Sequence, residues 1–203
     1  MRIGALVLAA GRSWRFAGGN KLLAPLSGVA LVARAVTSAL ASRASPVVVV
    51  TGYDAAEVSA ALGDLPVVFA HNGVAEQGLA SSLQAGLWRL GNTVDGAVVC
   101  LADMPYVRPV HIDRLCEAFE RSRGRAVCAP TFQGQRGNPV LWPASLFGAL
   151  LQLRGDTGGR DLLDTATLVE RVPVDDAGVL IDVDTLPDLV RCDSIANAIT
   201  DPR

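Results

Sequence analysis

Apolar runs rich in Val, Leu and Ile occupy residues 3–9, 46–51, 66–70, 96–101 and 126–130. None shows the strict alternation of a half-wet strand, and continuous runs of this length suit strands covered on both faces. Between them the apolar positions recur at spacings of three and four. Leu31, Val32, Ala35, Val36, Ala39 and Leu40 form one stripe, residues 55–62 a second, Leu79, Leu83, Leu87 and Leu90 a third, and Ile112, Leu115 and Phe119 a fourth. Strand and helix therefore alternate, which predicts one α/β domain over residues 1–193 with a mostly parallel sheet flanked by helices.

After Pro130 the rhythm changes. Residues 131–138 are polar, 139–142 read as a short strand, Pro143 suits the first turn of a helix, and Gly155-Asp156-Thr157-Gly158-Gly159 reads as a turn into another helix. Residues 131–165 are expected as a small inserted lobe on the sheet. Strands at 172–174 and 180–183 and a short helix at 186–190 follow, and residues 194–203 read as a loosely held tail.

Composition narrows the choice. Half of the 203 residues are apolar and 19% are charged, a balance that supports an extensive interior. A formal charge of −2 gives no global basic field, so nucleic acid is not an expected partner, while a local cluster can still hold a small anion. The cysteines, Cys100, Cys116, Cys128 and Cys192, form no C-x-x-C pair, which argues against a zinc site or a disulfide framework and fits a reducing cytoplasm. No apolar stretch reaches the roughly 18 residues that span a bilayer. Met1-Arg2 and the run after it imitate a signal peptide, but Gly4 and the loop at 11–15 favour a buried first strand.

In an open parallel sheet, ligands gather at the carboxyl ends of the strands. The first run leads into Leu8-Ala9-Ala10-Gly11-Arg12-Ser13-Trp14-Arg15-Phe16-Ala17-Gly18-Gly19-Asn20-Lys21. Small residues permit close backbone approach, and the arginines and lysine bring positive charge, which together suit a triphosphate. The loop is neither a Walker loop nor a G-x-G-x-x-G turn. After the fourth run, Asp103 leaves an apolar strand as either a helix cap or a metal ligand. Ile181-Asp182-Val183-Asp184 puts two acids on one side of an expected strand, and if that strand returns beside the fourth, Asp184 meets Asp103 across a Mg²⁺. Serines 81 and 82 open a helix, one as a cap and the other available to a ligand. His71 and His111 are expected as loop-surface residues, and Trp14, Trp88 and Trp142 as packing residues.

The chain resembles the MobA-like nucleotidyltransferase family, whose members begin L-A-[AG]-G-x-S-x-R-M-G-x-x-K. Leu8-Ala9-Ala10-Gly11-Arg12-Ser13-Trp14-Arg15 and Lys21 match, while Phe16 replaces Met and the loop gains a residue before the lysine. The resemblance continues through Gly78-Leu79-Ala80-Ser81-Ser82, Leu101-Ala102-Asp103-Met104-Pro105, Arg136-Gly137-Asn138-Pro139, Gly155-Asp156-Thr157-Gly158-Gly159-Arg160 and Asp182-Val183-Asp184. It implies a three-layer, Rossmann-like fold of the glycosyltransferase-A type. It also implies Arg15, Lys21 and Asp103 as catalytic residues, and Leu8, Ala9, Ala10, Gly11, Ser13, Asn72, Gly78 and Ser82 with Arg15 and Lys21 around the nucleotide. Asp103 and Asp184 would hold Mg²⁺, with Mn²⁺ as the alternative, and Arg136, Asn138, Gly155, Asp156 and Arg160 would face the acceptor. Ala10, where guanylyltransferases carry glycine, makes the molybdenum cofactor cytidylyltransferases the nearest branch. The implied partners are CTP or another NTP, a molybdopterin-type acceptor and a client molybdoenzyme, with no membrane. Alternatives that stay open are GTP or a sugar or alcohol phosphate as substrate, a nicotinamide-dependent oxidoreductase, and a non-catalytic protein that hands over a cofactor.

Overall fold

The structure, a computed structural model, describes residues 1–14, Phe16 and residues 19–200, of which 195–200 are described in their backbone alone. The strand β1 (Ile3–Ala9) is followed by a small hairpin, β2 (Pro25–Leu26) and β3 (Val29–Ala30), and by α1 (Leu31–Leu40). Then come β4 (Val47–Thr51), α2 (Ala55–Leu62), β5 (Val68–His71), α3 (Leu79–Leu90), β6 (Gly96–Leu101), α4 (Pro109–Arg121) and β7 (Val127–Phe132). The order closes with β8 (Gln135–Arg136), β9 (Val140–Pro143), α5 (Phe147–Leu150), α6 (Arg160–Thr165), β10 (Val169–Pro173) and α7 (Leu186–Thr200).

The main sheet runs β10-β7-β9-β6-β1-β4-β5, with β8 paired to β7. β1 lies parallel to β4 and β6, β4 to β5, and β10 to β7. β9 is antiparallel between β6 and β7. The central strand has no polar face because both of its faces are covered. Ile3, Ala5, Val7 and Ala9 enter a core shared with Val32 and Val36 of α1 and Ile112 and Leu115 of α4. Leu6 and Leu8 enter a second core with Leu83, Leu87 and Leu90 of α3, Leu150 of α5 and Leu163 of α6. This gives the Rossmann-like helix–sheet–helix sandwich that the sequence predicts.

Gly86 lets α3 lie close on the sheet: a Cβ there would sit 2.9 Å from Val50 Cγ2 and 3.1 Å from Leu6 Cδ1. A helix-interior glycine costs about 1 kcal/mol against alanine, and here the close contact with β1 and β4 offsets it.

Several expectations are corrected. The segment 131–165 is not wholly an added lobe, since β9 sits inside the sheet. Residues 180–183 form no strand: a single-turn helix at Ala177–Leu180 leads into an extended stretch without a ladder. Buried Val183, packed with Phe16, Leu26, Leu31 and Cys192, fixes that stretch instead. The helix expected at 186–190 runs to Thr200, through most of the expected tail, because Leu189 and Cys192 pack into the same cluster. All the cysteines are buried free thiols, and burial pushes Cys100, Cys116 and Cys128 up to about 12, so each stays neutral. Among the described residues, no helix is long and apolar enough to cross a membrane.

Candidate active site

The loop after β1 returns to the sheet through a short, self-bonded turn. Ser13 Oγ donates to Asn20 Oδ1 at 3.3 Å and accepts the Lys21 N–H at 3.0 Å. Asn20 Oδ1 accepts the Leu22 N–H at 3.0 Å and so caps the single turn Lys21–Leu23. Leu22 is anchored in the core, which leaves the neighbouring Lys21 side chain at the carboxyl edge of the sheet. Its Nζ donates to Asp103 Oδ2 and to Asp184 Oδ1, each at 2.7 Å.

Two backbone bonds bring those acids together. Ala102 N donates to Leu8 O at 3.2 Å, tying the turn after β6 to the end of β1, and Val183 N donates to Asp103 O at 2.9 Å. The expected meeting of Asp103 and Asp184 thus occurs, through an irregular segment rather than a strand. An oxygen of each lies 2.7 Å from one ammonium, so the carboxylates stand within twice that distance of each other. Burial pulls Lys21 downward most strongly, but Asp103 and Asp184 together outweigh it and hold the ammonium above its usual range. Asp182 is raised by burial first and then by Asp103 and Asp184. Asp103 Oδ1 is buried and has no hydrogen-bond partner among the described residues. No group of three or more His, Cys, Asp or Glu side chains that could hold a metal occurs among those residues.

A cavity of about 390 Å³ opens beside this triad, lined in part by Leu8, Ala10, Gly11, Ser13, Gly78 and Ser82. Ala9 faces the opposite core and does not line it. Asn72 is buried: its Nδ2 donates to Ser81 Oγ at 2.9 Å and Ser82 Oγ at 3.1 Å, and its Oδ1 accepts the Val74 N–H at 3.0 Å. Asn72 therefore shapes the turn before α3 and is not on the cavity wall. Arg15 lies outside the described residues.

A second cavity of about 470 Å³ adjoins the first along Leu8, Leu79, Leu101 and Asp156. Its floor is apolar, with Leu83, Val99, Val140, Trp142 and Leu163, and its rim carries Arg136, Asn138 and Arg160. Arg136 Nη1 donates to Asp164 Oδ1 at 2.8 Å. Gly155 and Asp156 serve the scaffold: Asp156 Oδ1 accepts the Leu79 N–H at 3.1 Å and Gly155 O accepts the Ala80 N–H at 3.0 Å. Gly78 has φ +94, and a Cβ on it would fall 2.6 Å from Asp156 Oδ1, so the two turns interlock only with glycine there.

His111 corrects the surface expectation, being 1% exposed in the first turn of α4. Its Nδ1 accepts the Arg108 N–H at 3.1 Å and its Nε2 lies 3.1 Å from Asp176 Oδ2. Burial depresses its pKa despite Asp176. His71 is exposed at the end of β5. Trp14 and Trp88, at 78% and 74% exposure, are not packing residues, whereas Trp142 is.

Sequence reasoning gave no site role to Asp182, Trp142 or Arg12. The I-D-V-D spacing signals Asp182. Trp142 becomes visible as a floor residue only once β9 is known to lie beside β6. Arg12 counts in the sequence merely as one cation of the loop, but its guanidinium lies 3.9 Å from the Trp14 ring centroid and 5.3 Å from that of Tyr53.

A parallel-centred sheet with a cation-bearing loop and two carboxylates at its carboxyl edge defines a nucleotide-binding α/β protein. The chain belongs to the MobA-like NTP transferase domain family, which it matches over residues 5–172, and is a nucleotidyltransferase. It is 30% identical to the purine catabolism protein PucB of Bacillus subtilis (strain 168), over 88% of this chain and 89% of that one. The fold is similar to that of the Mycobacterium sp. strain JC1 homologue of Mycobacterium tuberculosis Rv0371c, with a TM-score of 0.86, 26% identity and coverage of 98% and 100%. Rv0371c itself, solved in complex with manganese, superposes with a TM-score of 0.82 at 25% identity, over 96% of this chain and 99% of that one.

Proposed function

We propose that the protein is a magnesium-dependent cytidylyltransferase of the cytoplasm, which moves CMP from CTP to the phosphate of a molybdopterin cofactor, releases pyrophosphate and supplies a client molybdoenzyme. The observation that carries this reading is Lys21 held at 2.7 Å by both Asp103 and Asp184 on the wall of the smaller of two adjoining cavities.

The residues present fit a divalent cation. Two carboxylates already share one positive charge, and the unbonded, buried Oδ1 of Asp103 is a costly arrangement that a cation relieves. Oxygen donors suit Mg²⁺, with Mn²⁺ the alternative, as the manganese complex of Rv0371c illustrates. Asp103 and Asp184 would hold the ion, which when bound would supply positive charge to the reacting phosphates.

The chain's own residues do the rest. The turn at Leu8, Ala10 and Gly11 holds the base, with the Ala10 methyl limiting room for a purine. Lys21 and Arg15 neutralise the triphosphate, and Ser13 and Asn20 keep the Lys21 turn rigid. Arg136, Asn138 and Arg160 orient the acceptor above the apolar floor. That floor fits a flat heterocycle better than a sugar, whose hydroxyls would go unpaired against Trp142 and Leu163. An acceptor phosphate oxygen attacks the α-phosphorus in line, the bond to the β-phosphate oxygen breaks, and pyrophosphate leaves. The acceptor is already ionised near neutral pH, so no protein base is needed, and catalysis is positioning and charge neutralisation.

The test is pyrophosphate release from purified protein, Mg²⁺, molybdopterin cofactor and each of the four common NTPs. Release that needs the acceptor and is fastest with CTP is expected. No release with any NTP overturns the reading, and fastest release with GTP overturns its base assignment. Ala10→Gly should move the CTP-to-GTP preference by about tenfold, the scale of one methyl in a pocket; an unchanged ratio removes Ala10 from base selection.

A further inference from the structure

Four acids, Glu76, Asp103, Asp156 and Asp184, line the nucleotide-side cavity, against two described cations, Lys21 and Arg12. Lys21 is committed to two of the acids at 2.7 Å. Arg12 makes no ion pair with any described carboxylate: its guanidinium rests on the Trp14 ring at 3.9 Å and within 5.3 Å of the Tyr53 centroid. Among the described residues, then, the acids lining this cavity outnumber the cations, and Arg12 is the cation that makes no ion pair with them.

The stack explains why that cation is ready. An arginine on an exposed loop ordinarily samples many rotamers, and resting its guanidinium over the Trp14 ring, with Tyr53 close by, removes part of that freedom before a ligand arrives. Stacking uses the faces of the guanidinium and leaves its N–H edge free. That edge is the part that makes paired hydrogen bonds to phosphate oxygens.

We infer that Arg12, pre-oriented on the Trp14–Tyr53 platform, grips the terminal phosphates of the nucleotide and the pyrophosphate that leaves, and that Trp14 reports their binding. The inference rests on the nucleotidyltransferase reading of this cavity. It assigns to Arg12 a binding role separate from that of Lys21, which lies against the metal-fitting acids. Because the grip is the same for substrate and product, losing it raises the KM for the nucleotide and the inhibition constant for pyrophosphate together and leaves kcat little changed.

The experiment titrates full-length protein with inorganic pyrophosphate and Mg²⁺, by calorimetry and by tryptophan emission, and measures steady-state kinetics with the best NTP. Arg12→Met should weaken pyrophosphate binding by about tenfold to a hundredfold, the range for hydrogen bonds to a charged group, and raise KM by the same factor. Arg12→Lys, which keeps the charge and loses the fork, should fall between. The emission change should persist in Trp88→Phe and vanish in Trp14→Phe. Arg12 is exposed, so a melting temperature equal to that of the wild type is expected and shows that the fold is intact. Wild-type protein that turns over NTP, with Arg12→Met matching it in pyrophosphate affinity, overturns this inference alone. Wild-type protein that neither binds nor turns over any NTP overturns the function and the inference with it.

Discussion

The two cavities share a wall of leucines yet are built in opposite ways. The cavity proposed for the nucleotide takes its largest contiguous share from one stretch of chain, the loop from Leu8 to Leu22, which brings Arg12 and Lys21 to face acids from four other segments. The other cavity is gathered from α3, β6, β8 and the turn after it, β9 and the start of α6, and sets its charged groups, Arg136 and Arg160 with Asp156 and Asp161, around an apolar floor. In the first cavity, charges that answer one another make each side chain hard to change without disturbing its neighbours. In the second, the rim residues Arg136 and Arg160 project from short elements and can vary while the floor stays packed. A fold arranged this way keeps its phosphate chemistry and is free to change its acceptor.

The comparison breaks most decisively at Asp103. Asp103→Asn keeps the shape and removes the charge, so pyrophosphate release should fall by roughly 10²–10³-fold, as for other lost transition-state contacts, with the melting temperature little altered. Near-normal turnover would mean that the charged cavity is not where the reaction occurs. Lys21→Met should lower kcat/KM by about a hundredfold. It should also tighten binding of Mn²⁺ to the nucleotide-free protein, read by electron paramagnetic resonance, because the ammonium no longer lies between the two carboxylates. Weaker Mn²⁺ binding would show that Lys21 helps to assemble those acids and does not compete for them.

Arg136→Ala sharpens the contrast from the other side. The acceptor KM should rise about tenfold, the loss of one or two charge-assisted bonds, while the KM for CTP holds. Equal changes in both would erase the division between the cavities.

The smallest effect concerns the support behind the acceptor rim. Asn138 N donates to Val179 O at 2.9 Å, and the turn at Ala177–Leu180 begins at Asp176, the partner of His111. Burial keeps folded His111 below its ordinary pKa, so as pH falls the unfolded chain takes up that proton first. Stability is then intact above about pH 6.5 and is lost progressively below it. Melting curves between pH 7 and pH 5 should show a fall of a few degrees that His111→Asn flattens. An equal slope in the variant would remove His111 as its cause.

What could be read from the sequence follows the same division. The buried strands β1, β4 and β6 and the helices α1 to α3 announce themselves because their pairing partners impose a periodicity on nearby residues. The β1 loop is legible because its chemistry is contiguous, and Asp103 because a carboxylate ending an apolar strand is conspicuous. The antiparallel entry of β9 between β6 and β7 depends on pairing between distant segments and leaves no local trace, so the Trp142 floor is hidden. The extended stretch carrying Asp184 imitates a strand, since Ile181 and Val183 alternate with acids, but both pack into one small cluster with Phe16, Leu26 and Leu31, and that contact accounts for the pattern without a ladder. His111 misleads in the other direction: a polar residue just inside a helix start looks solvent-facing, and only Asp176, far along the chain, makes its burial tolerable.

The interlocked turns at Gly78 and Gly155 have one more consequence. A helix start ordinarily attracts anions through its free N–H groups, but at α3 the first two are already taken by Asp156 Oδ1 and Gly155 O. On the proposed reading, the phosphates of a nucleotide would find neither of these N–H groups free at that end of the cleft. Its polarity is set by what the scaffold withholds as much as by what the loop offers, and a nucleotide docked back to front would leave its phosphates facing a helix with nothing to give.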